Sequence, residues 1–314
     1  MNLFATALTY PAPSANYRGE SEENRSVIQK ITYGRFEYPI ISPEAMRNAL
    51  RETLASYGLP RNRTRLHDEE QLAVQFADYP DPEKYADDFF FGYLVAASGA
   101  DRTKIKAKLK EAKRDEKAFK FKRDSILRMN LARGVEPYRN NVVFTQSPLT
   151  TKESPWQNAK SSALLHRETV LTAFQYPFAL NLDDCKAKPE WTRALLKAIG
   201  ELNGVAGNHA RSYFEMAPAS IVLRLTNQLV AGYDTYGFDT EGNYPEVIEG
   251  LRGSDFAKRE DEFYLGGRIV KEMENEEKGK KTLDVLKGKG VTLNRDPRKL
   301  LEIVGKKAFP AKGV

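Results

Sequence analysis

Apolar and polar positions alternate loosely from Asn2 to Tyr10, and the alternation stops at Pro11, the period-two signature of a strand. Residues 11–26, PAPSANYRGESEENRS, are polar and small and predict a loop. Ile31–Tyr38 predicts a second extended segment closing at Pro39. The period then changes. In ISPEAMRNALRETLASYG (41–58), Ala45, Met46, Ala49, Leu50 and Leu54 fall on one helical stripe. Ser42 is placed to cap this helix, Pro43 to occupy its first position and Gly58 to end it. Arg47 and Arg51, four residues apart, share a more polar face.

Beyond Pro60 the character changes. DPEKYADDFFFGYLVAAS (81–98) reads as helix, and Asp101–Arg123 follows as a basic segment of net charge about +7. Alternation returns in Ser125–Leu131, where Ile126 and Arg128 share one face and Leu127 and Met129 the other. ETVLTAFQYPFALNL (168–182) predicts another strand, PEWTRALLKAIGELN (189–203) a second capped helix, and Ile221–Leu225 a buried strand. Between Arg139 and Arg167 lies a stretch rich in Asn, Thr, Ser and Pro, too long for an ordinary turn. From Glu246 onward the chain reads as helical and highly charged, with a Lys-rich tail. No internal repeat is present. This order predicts an α+β fold, an RNA-recognition-like (ferredoxin-like) sheet with helices on one face and long inserts.

At 314 residues, 41% hydrophobic and 29% charged, the chain has room for one elaborated domain or two small ones around a real core. No apolar run approaches the roughly 20 residues that span a bilayer. The start, Met1–Thr6, lacks a basic segment ahead of an apolar block, so neither a membrane span nor a secretory signal is expected. The single cysteine, Cys185, excludes an internal disulfide and fits a reducing cytoplasm. With His67, His166 and His209 scattered, no zinc-type spacing exists, and neither metal nor cofactor is expected. A net charge of +6 and a pI near 9.1 point to an anionic partner, nucleic acid first among them.

Four stretches, in order, carry a family resemblance. They are the opening strand with SANYRG (14–19); YPIISPEAMRNALRETL (38–54); FFGYLVAA (90–97) followed by KRDSILRMNLARGVEPY (122–138); and LLHRETVLTAFQYPFALNL (164–182) leading to GNHARSYFEMAPASIVLRLT (207–226). With them the chain resembles the backbone subunit of type I CRISPR surveillance complexes (Cascade), in the DevR-like branch of the repeat-associated RNA-binding superfamily. The resemblance implies a hand: an RNA-recognition-like palm over residues 1–58, 124–138 and 168–235, helical fingers over 59–123 and a β-hairpin thumb over 139–167. A helical, charged region over 236–314 completes the chain. Copies of such a subunit stack along a CRISPR RNA, each thumb crossing the guide and displacing a nucleotide. The Asp101–Arg123 run is longer and more basic than the resemblance requires.

Candidate contacts follow from residue chemistry and from this likeness. Asn16 and Arg18, after the first strand, are expected to grip guide phosphates, since the matching loop faces the guide in the family. Ser42, Arg47 and Arg51 combine a helix N-terminus with two cations, a ready anion site; an ordinary cap with a solvated face is the alternative. Arg123 and Arg128 space further cations along the chain, and so do Arg133 and Arg139, for which a plain solvent-facing role is equally open. In the thumb, Phe144, Thr145, Gln146, Lys152, Trp156 and Lys160 supply aromatic tips flanked by cations, as a wedge between bases requires. Phe144 is expected to anchor against a neighbouring copy, and the part of Trp156 stays open. His166 and Arg167 close the thumb, as nucleic-acid contacts or as loop packing. Gly204 and Gly207 free the backbone near Asn208, His209 and Arg211, which supply donors for a phosphate. A ribonuclease would need His209 as general base opposite His166 or Arg211, but simple binding needs no proton transfer.

Backbone subunits of type III complexes cut target RNA with an aspartate after the first strand; Pro11–Ser26 holds Glu20, Glu22 and Glu23 but no aspartate, so cleavage is not expected. The expectation is therefore a non-enzymatic scaffold. Its partners are CRISPR RNA, further copies of itself in a filament, other Cascade subunits, and target DNA reached through the guide. The rivals are a metal-independent endoribonuclease that processes CRISPR precursor RNA and a DNA-binding regulator, the latter without a helix-turn-helix to support it.

Overall fold

The computed structural model describes residues 1–14, 17–22, 25–65, 74–146, 164–205, 214–256 and 258–310. The chain divides into two compact units, one made of Met1–Thr53 with Met129–Val314 and the other of Leu54–Arg128.

The first unit is built on a mixed sheet. Its strands are β1 (Asn2–Leu8), β2 (Lys30–Tyr33), β3 (Phe36–Ile41), β4 (Ala132–Gly134), β5 (Phe174–Asn181), β6 (Ser220–Thr226), β7 (Phe263–Gly267) and β8 (Thr292–Asn294), in the order β8-β7-β6-β1-β5-β4-β3-β2. β1 runs antiparallel to both β5 and β6, with Ala5 opposite Phe178 on one side and Leu223 on the other. Helix α1 (Pro43–Ser56) follows β3, and α4 (Pro189–Gly200) connects β5 to β6. Ser42 caps α1, its Oγ accepting the Ala45 amide at 3.2 Å, and Gly58 ends the turn beyond it with φ 84°.

Every residue of β6 is buried, so its run Ser-Ile-Val-Leu-Arg-Leu-Thr lacks the alternation of a strand with one wet face. The reason lies C-terminally. Helices α5 (Pro245–Gly253), α6 (Arg268–Asn275) and α7 (Glu277–Gly288) carry Val247, Leu251, Ile269, Val270, Leu283 and Leu286 into one core with Val222 and Leu265. Helix α8 (Pro297–Ala308) brings Leu300 against Gly266. The C-terminal region is thus not helical throughout, because it extends the sheet by β7 and β8. Within β6, Arg224 is buried, and its guanidinium donates to Glu262 (2.9 Å), the Ala231 carbonyl (2.7 Å) and Gln228 (3.0 Å). A buried cation is tolerated only when paired and hydrogen-bonded in this way.

A second sheet grows out of the first. Leu164–Thr172 pairs antiparallel with Asn141–Gln146 and Ala12–Ser14 and parallel with Arg25–Ile28, which in turn pairs with Tyr17–Glu22. The expected strand over 168–182 is therefore two strands meeting at buried Ala173, one in each sheet. The Thr9 hydroxyl accepts the Phe174 amide at 2.9 Å, so the switch leaves that donor satisfied. The chain switches sheets again at Gln29, between Arg25–Ile28 and β2. There Glu168, only 2% exposed, accepts the Ile28 amide at 3.1 Å and lies 3.6 Å from Lys30. Two further expectations change here. The polar stretch after β1 pairs as strands rather than looping, and Ile31–Tyr38 is a hairpin, β2 and β3, turning at Gly34 with φ 62°. That sign of φ is what a tight hairpin turn demands, and glycine supplies it without strain.

In the second unit the helix expected over 81–98 is only α2 (Ala86–Phe91). Gly92 stops it at φ 60°, where a Cβ would lie 2.3 Å from the Arg123 carbonyl oxygen. Tyr93–Leu94 then pairs with Lys122–Arg123. Asp87 and Asp88 are buried; Asp87 accepts the amides of Asn62 (2.8 Å) and Arg63 (2.9 Å), while Asp88 accepts from the Asn62 side chain (2.8 Å) and the Asp81 amide (3.0 Å). Burial raises the Asp88 pKa, with those hydrogen bonds opposing the shift. Helix α3 (Gly99–Glu111), capped by Ser98, buries only Leu109 and exposes Arg102, Lys104, Lys106, Lys108 and Lys110.

Gly267 enters α6 at φ 92°, where an added Cβ would sit 2.0 Å from the Ala219 carbonyl oxygen. Gly267→Ala is expected to destabilise the protein by roughly 2–3 kcal/mol, read from urea denaturation. An unchanged midpoint would contradict this backbone geometry.

Candidate nucleic-acid interface

The expected cations divide sharply by burial. At the start of α1, the Ser42 hydroxyl is already engaged as the cap. Arg47 is partly exposed; one guanidinium nitrogen lies 3.4 Å from Glu44, which is itself open to solvent, while its Nε has no protein partner. An exposed pair of this kind is worth about 0–1 kcal/mol, so Glu44 holds Arg47 only weakly. Arg51 departs from expectation. It is 5% exposed and donates to the Asn48 side-chain oxygen, because α1 packs along more than the one stripe read from its sequence. Among α1 residues only Glu44, Glu52 and Ser56 are fully exposed. Arg51 is thus packed into the fold while Arg47 on the same helix stays partly exposed.

Arg128 stands exposed between buried Leu127 and Met129 in the short strand Leu127–Met129, on the face the alternation gave it; Ile126, expected beside it, is buried just before that strand. Arg123 is half-buried, its guanidinium 5.7 Å from the Phe89 ring centre. At the base of the Asn141–Gln146 hairpin, Phe144 lies opposite His166 and Val143 opposite Arg167. The Phe144 ring meets the His166 ring edge-on at 4.5 Å, yet Phe144 stays 59% exposed beside exposed Val143. Arg167 is half-buried and faces Ser26 on its other side. Gln146 is exposed near the end of the described strand, where Thr145 has a backbone position only. Arg18 falls within the strand Tyr17–Glu22, its side chain outside the described set. Asn16, Lys152, Trp156, Lys160, Asn208, His209 and Arg211 lie outside the described residues.

Arg133, for which the sequence left a plain solvent-facing role open, is instead held among aromatic rings. The Arg133 guanidinium on β4 lies 4.7 Å from the ring centre of Tyr236, 5.6 Å from Tyr38 and 5.8 Å from Tyr33. Tyr236 donates its hydroxyl to the Leu131 carbonyl at 2.7 Å, and burial pushes its pKa up to about 12, so it remains a neutral donor there. Cations over aromatic faces gain about 0.5–2 kcal/mol each. The run YGRFEY (33–38), with aromatics at 33, 36 and 38, is the sequence signal for two of its three rings.

Among the described residues no group of His, Cys, Asp and Glu could hold a metal ion. No helix among them is long and apolar enough to cross a membrane.

Comparison with known proteins gives a class first. The fold matches two solved chains from CRISPR RNA-guided surveillance complexes, one of them in a pre-nicking state, each with a TM-score of 0.56 over 98% of this chain and all of theirs. At 13% and 12% identity these are likenesses of fold. No protein-family model matches the chain. It is 27% identical over 297 residues to the CRISPR-associated protein Cas7/Cst2/DevR of Myxococcus xanthus (strain DK1622), covering 88% of this chain and 90% of that protein. The resemblance to DevR-like backbone subunits of Cascade thus runs through nearly the whole chain, well beyond the motifs that suggested it.

Burial separates the two arginines of α1. Arg51→Ala is expected to lower stability by roughly 1–3 kcal/mol in urea melts. Arg47→Ala is expected to stay within about 1 kcal/mol of the parent while weakening RNA retention on filters. A stable Arg51→Ala protein with impaired RNA binding would reverse the assignment.

Proposed function

We propose that this chain is a non-enzymatic backbone subunit that oligomerises along CRISPR RNA, binds its phosphate backbone and presents the guide for pairing with target DNA in a type I interference complex. The observation that carries the proposal is the likeness of 88% of the chain to a Cas7/Cst2/DevR protein, in a fold shared with chains of RNA-guided surveillance complexes.

In this reading β6-β1-β5-β4, linked through α1 and α4, is the RNA-recognition-like palm; a βαββαβ path produces this strand order. Residues 59–123 are the fingers, and the Asn141–Gln146/Leu164–Thr172 hairpin is the base of the thumb over 139–167. Phe144, exposed on one face of that hairpin, presents an aromatic surface there for a neighbouring copy. Arg47, Arg128 and Arg167 contact phosphates, and Asn16, Arg18, Asn208, His209 and Arg211 join them. Such contacts fix register without reading sequence, leaving specificity to guide pairing. The exposed lysines of α3 lie along target DNA. The partners are the RNA, further copies, other complex subunits and the DNA, and the setting is the cytoplasm.

The test is light scattering on the purified protein with CRISPR RNAs of two lengths. The expected result is a small RNA-free species and ribonucleoproteins whose mass rises with RNA length. RNA binding should also weaken steeply with salt, as phosphate contacts require. A single protein bound per RNA of either length would contradict the scaffold and favour the endoribonuclease.

A further inference from the structure

We propose that the β2–β3 hairpin is a base-stacking platform for an unpaired RNA strand, separate from the phosphate contacts of α1 and the thumb. The inference rests on the RNA-binding reading above and adds a site to it.

Residues directly opposite in an antiparallel pair share a face of the hairpin, and here Ile31 faces Tyr38 while Tyr33 faces Phe36. One face of the hairpin is therefore Ile31, Tyr33, Phe36 and Tyr38. The other carries Thr32 opposite Glu37 and Lys30 opposite Pro39. The apolar face is not covered by the fold: Tyr33 is 68% exposed, Phe36 50% and Ile31 40%. β2 also ends the sheet, and no further strand lies beyond it among the described residues.

Two cations frame this face. Arg133 lies over Tyr33 and Tyr38, and Arg35, at the turn, lies 5.8 Å from the Phe36 ring centre. Neither forms an ion pair among the described residues. Glu37, the nearby carboxylate, is 3.8 Å from Lys30. An exposed aromatic face with two uncompensated guanidinium groups is complementary to bases and phosphates together. A protein partner would have to supply carboxylates for both arginines.

Spacing fits as well. Rings two residues apart on a strand are about 6.7 Å apart, twice the 3.4 Å repeat of stacked bases. Tyr33 and its neighbours thus accept splayed bases, not a continuous stack. The hairpin is held for this use by the Gly34 turn, by Tyr33 meeting Tyr38 edge-on at 6.4 Å, and by Tyr236 behind Arg133.

The experiment is fluorescence anisotropy on the full chain, with an unstructured oligouridylate and an abasic ribose-phosphate oligomer of equal length. Tyr33→Ala is expected to weaken oligouridylate binding roughly tenfold and to leave the abasic oligomer unaffected, with Tyr33→Trp restoring affinity. Because Tyr33 is 68% exposed, its loss should lower the thermal melt by at most about 3 °C; Phe36→Ala provides a second variant. Equal loss on both oligomers, or none on either, would overturn the platform while leaving the RNA-binding reading in place. A change confined to the mass of the RNA-free protein would mark a protein interface and overturn it too. A parent protein that binds neither oligomer would sink the RNA-binding reading itself, and the platform with it.

Discussion

The segment Leu164–Asn181 is the constraint on which the first unit depends. It is the hub of the second sheet up to Thr172, and from Phe174 it is the partner of β1 in the main one. A strand that changes sheets must leave one hydrogen-bond ladder before joining the next, and buried backbone groups at the change need other partners. Thr9 supplies one at Phe174, and Glu168 supplies another where Ile28 leaves the second sheet. The buried Glu168 carboxylate, with Lys30 beside it, therefore ties the strand Leu164–Thr172 to the β2–β3 hairpin. The aromatic face around Arg133 inherits its position from that link.

What the sequence made legible follows from which patterns are local. α1 was readable because a capping serine, an initial proline and a 3.6-residue stripe agree within one segment, and α4 from its initial proline and stripe alone, since Lys188 before it makes no side-chain cap. β1 was readable from its alternation and the proline that ends it. The change of sheet at Ala173 was not, since nothing in Thr-Ala-Phe distinguishes a strand that continues from one that changes partners. The helix expected over 81–98 was drawn too long because Asp87 and Asp88 look like helix-surface acids, whereas Asp87 holds the backbone of Asn62 and Arg63 and Asp88 the Asn62 side chain and the Asp81 amide. β7 and β8 were lost in a charged helical background, being five and three residues long.

Which of the candidate cations are exposed was legible only in part. Net charge and motif order pointed to nucleic acid, and Arg128 stands exposed where alternation put it. Arg51 shows the limit of helical periodicity, which gives angular position but not how much of the circumference is packed. Arg133 shows the converse, a cation whose setting comes from Tyr33, Tyr38 and Tyr236, a hundred residues away on either side. Cation–aromatic clusters assembled from such distant residues leave only a weak trace in a linear pattern.

The central claim is that the protein coats RNA without cutting it. It is tested most directly by nuclease footprinting of end-labelled CRISPR RNA in the assembled ribonucleoprotein. The account predicts full-length RNA before nuclease is added and, after digestion, protection that repeats at a constant interval along the guide. RNA cleaved at one position by the protein alone, or a single protected patch, would contradict it.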